Sequence, residues 1–156
     1  MNIFALDLDP KLAAQYHCDR HVVKMLLESC QILSTVMHLN GAGGPYKPTH
    51  RHHPCVKWAG ASQQNFDWLK RLMNHLCAEY TARYGKVHKC QQYLSILDCT
   101  LPDIGQTPFS LAMPNQYRSP DAIEAYRAYY LGEKARFAKW KASITPFWWI
   151  RVDNPA

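Results

Sequence analysis

Residues 11–39 contain neither proline nor glycine, and this uninterrupted run restricts the possible fold more than any other feature of the chain. Asp9 and Pro10 precede it as an N-cap and a first helical residue. Apolar side chains recur in it near a period of 3.6 residues: Val22, Met25, Leu26, Leu33, Val36 and Met37. A Gly-rich stretch after Asn40 ends the run. The sequence therefore predicts one helix here, or two helices with a bend near Cys18.

Two further stretches carry helical signals. Residues 54–83 place apolar side chains at helical spacing, with an interruption near Gly60 left open, and a third helix is expected from the N-cap Ser119 to about residue 142. The irregular segment 86–118 between them is too long for a simple connector, so it should pack against the body or have a function. No alternating strand pattern occurs. We therefore predict an all-α fold: a single compact domain over 1–156, with three long helices and long irregular loops.

The charge balance favours a polyanionic partner. The chain has 18 Lys plus Arg against 12 Asp plus Glu, a formal net charge of +6, and strongly basic chains often bind nucleic acids. Its six cysteines are expected to stay reduced, because the N-terminus lacks the basic stretch and long apolar run of a signal peptide. No apolar run approaches the length of a membrane span. We expect a cytoplasmic monomer without membrane contact, located in the host cytoplasm if the chain is phage-encoded.

Three ionisable residues share one face of the first predicted helix. His17 and His21 are four residues apart, and Glu28 follows seven residues after His21. A carboxylate near an imidazole can transfer protons or stabilise a developing cation. The two histidines could instead bind a metal ion together with Cys18 or Glu28. In a third interpretation, the side chains are exposed or make ordinary polar contacts, and the spacing leaves all three interpretations open.

A second cluster of ionisable groups follows the Gly-rich stretch. It consists of His50, His52, His53 and Cys55 beside Lys47, Arg51 and Lys57. The cluster lacks the paired spacing of a structural zinc site, so it indicates metal binding only weakly. Its basic residues favour a loop that contacts phosphates, with a solvated loop as the alternative.

Basic and aromatic residues alternate in the C-terminal third, from Arg127 to Arg151. Lysine and arginine contact phosphates while aromatic rings stack on bases, which makes Lys139, Trp148 and Trp149 candidates for DNA contact. In the alternative interpretation, the aromatic residues form the buried face of one helix and the charges form its solvated side. The sequence contains no P-loop, dinucleotide-binding, nucleophile-elbow or zinc-deaminase signature.

Five short sequence elements follow one another along the chain, and their order carries more information than any one of them. They are Cys18-x-x-His21 with Glu28 seven residues later, the 46–58 stretch containing His53-Pro54, Glu79-Tyr80 with Arg83-Tyr84-Gly85, Met113-Pro114-x-x-Tyr117-Arg118, and Pro146-Phe147-Trp148-Trp149. In this order they resemble the pyrimidine-dimer DNA glycosylases of the phage endonuclease V type, as a distant member. The resemblance spans most of the chain. Leu27 and Gln31 depart from it, because arginine is common in the family at these two places.

The resemblance implies a DNA glycosylase that acts on damaged or modified pyrimidines. The α-amine of Met1 would attack the deoxyribose C1′ and form a Schiff base, the base would leave, and β-elimination could nick the strand. Glu28 would be the essential carboxylate, with His21 in support. Asn2 is bulky enough that we expect Met1 to be retained. Lys24, one turn after His21, is an alternative amine or a phosphate contact.

The implied partner is DNA, expected to be double-stranded, and the glycosylase interpretation needs no metal or other cofactor. The residues expected to contact DNA are Lys24, Lys47, His50, Arg51, His53, Lys57, Arg118, Lys139, Trp148 and Trp149. Two other functions stay open at this point. One is a nucleic-acid-binding protein without catalysis, and the other is a metal-dependent or base-hypermodifying enzyme that uses the histidine cluster.

Overall fold

The computed structural model describes residues 1–141 and 144–150, and in this part of the chain all regular secondary structure is helical. Five α-helices follow one another: α1 Pro10–Tyr16, α2 Asp19–Leu39, α3 Pro54–Ala61, α4 Gln63–Tyr84 and α5 Ala122–Tyr129. The predicted all-α fold is confirmed. Of the three long helices expected, the first two are each divided in two, and the third is shorter.

The first predicted helix bends at His17 and Cys18. Both residues are extended, with ψ angles of 130° and 162°. The buried guanidinium of Arg83, on α4, donates to the carbonyl oxygens of Gln15 at 3.1 Å and His17 at 2.7 Å, and it pairs with Asp19 at 3.1 Å. The last carbonyls of a helix have no partner within it. Arg83 therefore satisfies the end of α1 and fixes the direction in which α2 begins.

The helix predicted over 54–83 divides at Ser62. Ser62 is extended and buried, and its hydroxyl accepts a hydrogen bond from the backbone N–H of Asn65 as the N-cap of α4. Asn65 is also buried, and its side chain donates to the carbonyl of Trp58 at 2.8 Å and to the hydroxyl of Thr107 at 2.7 Å. The division falls two residues after Gly60, where the sequence left an interruption open, because these capping and long-range bonds favour a new helix start.

The third predicted helix starts later and ends earlier than expected. Asp121, not Ser119, is the N-cap, and its carboxylate accepts from two backbone N–H groups of the first turn. After α5 comes one π-helical turn, Tyr130–Lys134, and the chain then leaves the helix. Regular helix therefore ends well before residue 142, which itself lies outside the described residues.

The core forms where α1 and α2 pack against α4, with α3 beside them. Residues 3–6 form an irregular lead-in that is entirely buried, and the N–H of Leu6 donates to the carbonyl oxygen of Phe4 at 2.9 Å. The irregular 86–118 segment packs on the body, as expected. Its buried apolar side chains include Cys90, Leu97, Cys99, Leu101, Phe109 and Met113. All six cysteines, each within the described ranges, are buried and free.

The helix α2 is long and apolar enough to span a membrane by length and composition, which differs from the expectation that no run approaches that length. The mean hydropathy of its most apolar 18-residue window is 1.2, and 61% of that window is buried inside the protein. Burial against α3 and α4 accounts for this apolar character. It also places the polar face of α2, with His21 and Glu28, at the edge of the core.

Candidate active site

Six of the predicted site residues line one cavity of about 460 Å³. They are Met1, His21, Lys24, Glu28, His53 and Arg118. Three of them project from α2, and the others come from the extended N-terminus, the residue before α3 and the segment before α5. The fold thus joins parts of the chain that lie far apart in the sequence.

The α-amine of Met1 lies 3.5 Å from Oε1 of Glu28. Only 2% of the Met1 side chain and 15% of the Glu28 side chain are exposed. Oε2 of Glu28 is buried and has no hydrogen-bond partner among the described residues. Buried polar atoms are normally paired, so this unpaired carboxylate oxygen is an exception among the described residues. Residues 3–6 hold the N-terminus beside α2 because all four are buried in the core.

His21 forms another part of the cavity lining. Its Nδ1 is 2.7 Å from the hydroxyl of Tyr130, and its ring centroid is 4.6 Å from that of Phe4. Burial lowers the pKa of His21 to about 2, with smaller contributions from the positive charges of His17 and Lys134. The imidazole is therefore neutral at neutral pH. It can donate or accept a hydrogen bond without adding positive charge beside the Met1 amine.

His17 is absent from the cavity lining. Its side chain is fully buried, and Nδ1 lies 2.6 Å from the carbonyl oxygen of Ala13. Burial lowers the pKa of His17 to about 4. The predicted line of three ionisable residues therefore separates into a core histidine and two cavity residues. Within the described ranges, no group of three or more His, Cys, Asp or Glu side chains is placed to hold a metal ion.

His53 reaches the cavity because it caps α3. Its Nδ1 accepts the backbone N–H of Cys55 at 3.0 Å, so the neutral ring has its proton on Nε2. Burial lowers the pKa of His53, as do the positive charges of the Met1 amine and His50, while Glu28 opposes them. His50 has a φ of +50°, which is uncommon outside glycine. The turn it begins brings His53 to the cavity.

The other predicted DNA contacts lie outside the cavity. The exposed ones are Lys47, His50, Arg51, Lys57 and Lys139. Trp148 is buried, with its ring centroid 6.0 Å from that of Tyr130, so its expected stacking on DNA does not fit this placement. Trp149 is half-buried, whereas Phe147 is 77% exposed and is the accessible ring of this segment. Arg151 lies outside the described residues.

Lys134 also lines the cavity, whereas the sequence indicated it only as one of the alternating basic and aromatic residues between Arg127 and Arg151. Its ammonium is 3.5 Å from the hydroxyl of Tyr129 and 4.7 Å from the centroid of that ring. It projects from the π-helical turn, in which Tyr130 contacts His21. The sequence of this turn has the pattern of an ordinary helix, and a regular helix would direct these side chains differently. The alternation of basic and aromatic residues does not show that Lys134 lines the same cavity as Glu28.

Comparison with known proteins identifies the family of this chain. Residues 1–92 of the 156 match the family model described as pyrimidine dimer DNA glycosylase. Met1, His21 and Glu28 lie inside the matched residues, whereas Arg118 and Lys134 lie beyond them. Neither the curated proteins nor the solved structures include a significant match. Since the family match covers more than half of the chain, the protein belongs to the pyrimidine dimer DNA glycosylases, a family of DNA repair enzymes.

Proposed function

We propose that this protein removes damaged or modified pyrimidines from double-stranded DNA through a Schiff base on the Met1 α-amine, and that it then cleaves the strand by β-elimination. The observation that carries the proposal is the 3.5 Å contact between this amine and Oε1 of Glu28. Both groups line the same cavity of about 460 Å³. Family membership supports base removal and a DNA substrate.

In the first step, the nitrogen of Met1 forms a bond to C1′ while the bond from C1′ to the base breaks. The electron pair of the broken bond leaves with the base, which takes up a proton. Loss of a proton from the amine and opening of the sugar ring give the Schiff base. Removal of a proton from C2′ then expels the 3′ phosphate. An α-amine suits the attack because more of it is unprotonated near neutral pH than of a lysine side chain.

The two oxygens of Glu28 suit two different tasks. Oε1 faces the amine and can accept its proton as the new bond forms. Oε2 is buried without a partner among the described residues, so it can stabilise the positive charge that develops at C1′. Such stabilisation is stronger where water is excluded. A neutral His21 helps in the same place, because a charged imidazole would repel the cationic intermediate.

Cationic side chains line the same cavity and suit the phosphates beside the target nucleotide. They are Lys24, Arg118 and Lys134. The guanidinium of Arg118 donates to the carbonyl oxygen of Leu111 at 2.8 Å, which restricts its position. Leu27 and Gln31 are neutral, although arginine is common in the family at these two places. The three cations of the cavity supply positive charge instead. All of these groups come from one chain, so we propose that the monomer is the active form.

Trapping with borohydride tests the proposed mechanism. The protein is incubated with one duplex that contains a pyrimidine dimer and another that contains an abasic site, and the reduced adduct is mapped by mass spectrometry. We expect the adduct on Met1. We expect Glu28→Gln to slow base release by about 10²-fold or more. Glu124→Gln is the matched control, because Glu124 is an exposed carboxylate on α5 outside the cavity.

Three outcomes would contradict the proposal in different ways. Base release without any trapped adduct would exclude the Schiff base. An adduct on Lys24 or Lys134 would assign the nucleophile to another amine. DNA binding without base release from any lesion would favour a binding protein without catalysis.

A further inference from the structure

We propose that Asn2 is a positioning residue for this reaction: its side chain fastens the N-terminus to the segment 110–112 and so places the Met1 amine beside Glu28. The inference rests on the proposed function, in which that amine is the nucleophile. Asn2 also lines the cavity, but both polar ends of its side chain are occupied by protein groups, so its role is to position the amine. It stands between the amine and Ile3, the first residue that is fully buried.

Both polar ends of the Asn2 side chain are engaged. Nδ2 donates to the carbonyl oxygen of Ala112 at 2.8 Å, across 110 positions of sequence. Oδ1 accepts the backbone N–H of Ile3 at 2.8 Å, and the thiol of Cys55 lies 3.6 Å from the same oxygen. The side chain is therefore held from two directions, and the peptide that joins it to Met1 is held with it.

The segment that receives Asn2 is itself fixed by Tyr126. The hydroxyl of Tyr126 donates to the carbonyl oxygen of Ser110 at 2.6 Å and accepts the backbone N–H of Ala112 at 3.3 Å. It also lies 3.2 Å from Oδ1 of Asn2, but its single proton serves the shorter bond to Ser110. Burial raises the pKa of Tyr126 well above its ordinary value, so the hydroxyl keeps this proton at neutral pH. Asn2 thus binds a carbonyl whose position is already restrained.

The contact between Met1 and Glu28 is too loose to hold the amine by itself. Its length of 3.5 Å exceeds the usual range for charge-assisted hydrogen bonds, about 2.7–2.9 Å. The first residues of a chain also fray unless they are tied down. A misplacement of about 1 Å can reduce a reaction rate by about 10²-fold. Loss of the Asn2 bonds should therefore slow the chemical step more than it weakens DNA binding.

Asn2→Leu tests the inference, because leucine has a similar size and makes no side-chain hydrogen bonds. Asn74→Leu, at an exposed position of α4, is the matched control. Intact mass spectrometry first verifies that every variant retains Met1. Two quantities are then compared. One is the rate of borohydride-trapped adduct formation on an abasic-site duplex at saturating DNA, and the other is the Kd for a tetrahydrofuran abasic analogue, which forms no Schiff base.

We expect Asn2→Leu to lower the trapping rate by about 10²-fold with Kd close to that of the wild type, and to lower Tm by a few degrees because Ala112 and Ile3 lose a hydrogen-bond partner. Asn74→Leu should change none of the three. Asn2→Asp should also trap slowly, because it keeps an acceptor for Ile3 but turns a carboxylate oxygen toward the carbonyl of Ala112. If either variant forms the adduct as fast as the wild type, the role of Asn2 is overturned. The same holds if the trapping rate falls only in proportion to an increase in Kd. If the wild type traps nothing on Met1, the proposed function fails instead.

Discussion

Replacing Tyr130 by phenylalanine removes one oxygen from a fully buried side chain, and we expect it to destabilise the protein and to slow base removal. The hydroxyl lies 2.7 Å from Nδ1 of His21, and the backbone N–H of Cys18 donates to it at 3.3 Å. Burial raises the pKa of Tyr130, so the hydroxyl stays protonated at neutral pH. In the variant, the imidazole of His21 and the N–H of Cys18 both lose this partner inside the core.

The expected cost follows from the unpaired groups. A buried polar group left without its partner costs about 1–3 kcal/mol. The phenylalanine ring keeps its contacts with Phe4 and Trp148, whose centroids lie 5.3 Å and 6.0 Å from that of Tyr130, so the loss of apolar packing is small. We therefore expect the free energy of unfolding to fall by at least about 1–3 kcal/mol from the loss at His21, with a further loss from the longer bond of Cys18. Each kcal/mol should lower Tm by about 2–4 °C.

Urea unfolding and single-turnover base release measure the two effects. Tyr80→Phe is the matched control, since Tyr80 is a half-buried tyrosine on α4 whose hydroxyl makes no hydrogen bond within the described residues. If Tyr130→Phe is no less stable than this control, the hydroxyl does not pair as described. A loss of stability with an unchanged rate of base removal would show that the orientation of His21 is unimportant for the chemistry.

Three further results are expected. Gly132→Ala should lower Tm, because the added Cβ would overlap the ring of Tyr117, and an unchanged Tm would show that the two residues pack less closely. Burial holds the pKa of His21 at about 2, below its ordinary 6.5, so the unfolded chain binds a proton that the folded chain excludes. The contribution of His21 to the free energy of unfolding should therefore be at its full value above about pH 6.5 and fall below it by up to about 1.4 kcal/mol per pH unit. His17, whose pKa burial lowers to about 4, should add to this fall. Urea titrations across this range measure the fall, and a pH-independent stability would contradict the burial of a neutral imidazole. Lys24→Gln and Arg118→Gln should each reduce the slope of log Kd against log salt by about 0.9, and a slope unchanged in both variants would remove them from the DNA interface.

Most of the helical residues could be predicted because helix ends leave local signals. Asp9 and Pro10 start α1, and the glycines after Asn40 end α2 as expected. The position of the division, at Ser62, could not be predicted, because it depends on the buried hydrogen bond of Asn65 with Thr107, 42 positions away. Periodicity shows which face of a helix is apolar, but it does not show which distant residue completes a polar contact.

The candidate site was predicted in a similar, partial way. Glu28 and His21 lie on one helix face, and the cavity does contain both. His17 has the same helical spacing but belongs to the core, since the bend after it changes the direction of the chain. Trp148 shows another limit of what the sequence can predict. An aromatic residue near the C-terminus can stack on DNA or pack inside the protein, and only the structure shows that Trp148 is buried.

By itself, the sequence determined that the chain is helical and basic and that Glu28 stands on the same helix face as His21. These properties depend only on composition and on residues within a few helical turns of one another. The tertiary structure alone decided which amine meets this carboxylate. Burial of residues 3–6 returns the N-terminus to α2, and the bond from Asn2 to Ala112 holds it there. Contacts between residues so far apart in the chain leave no periodic signal, because they are made only when the whole core packs.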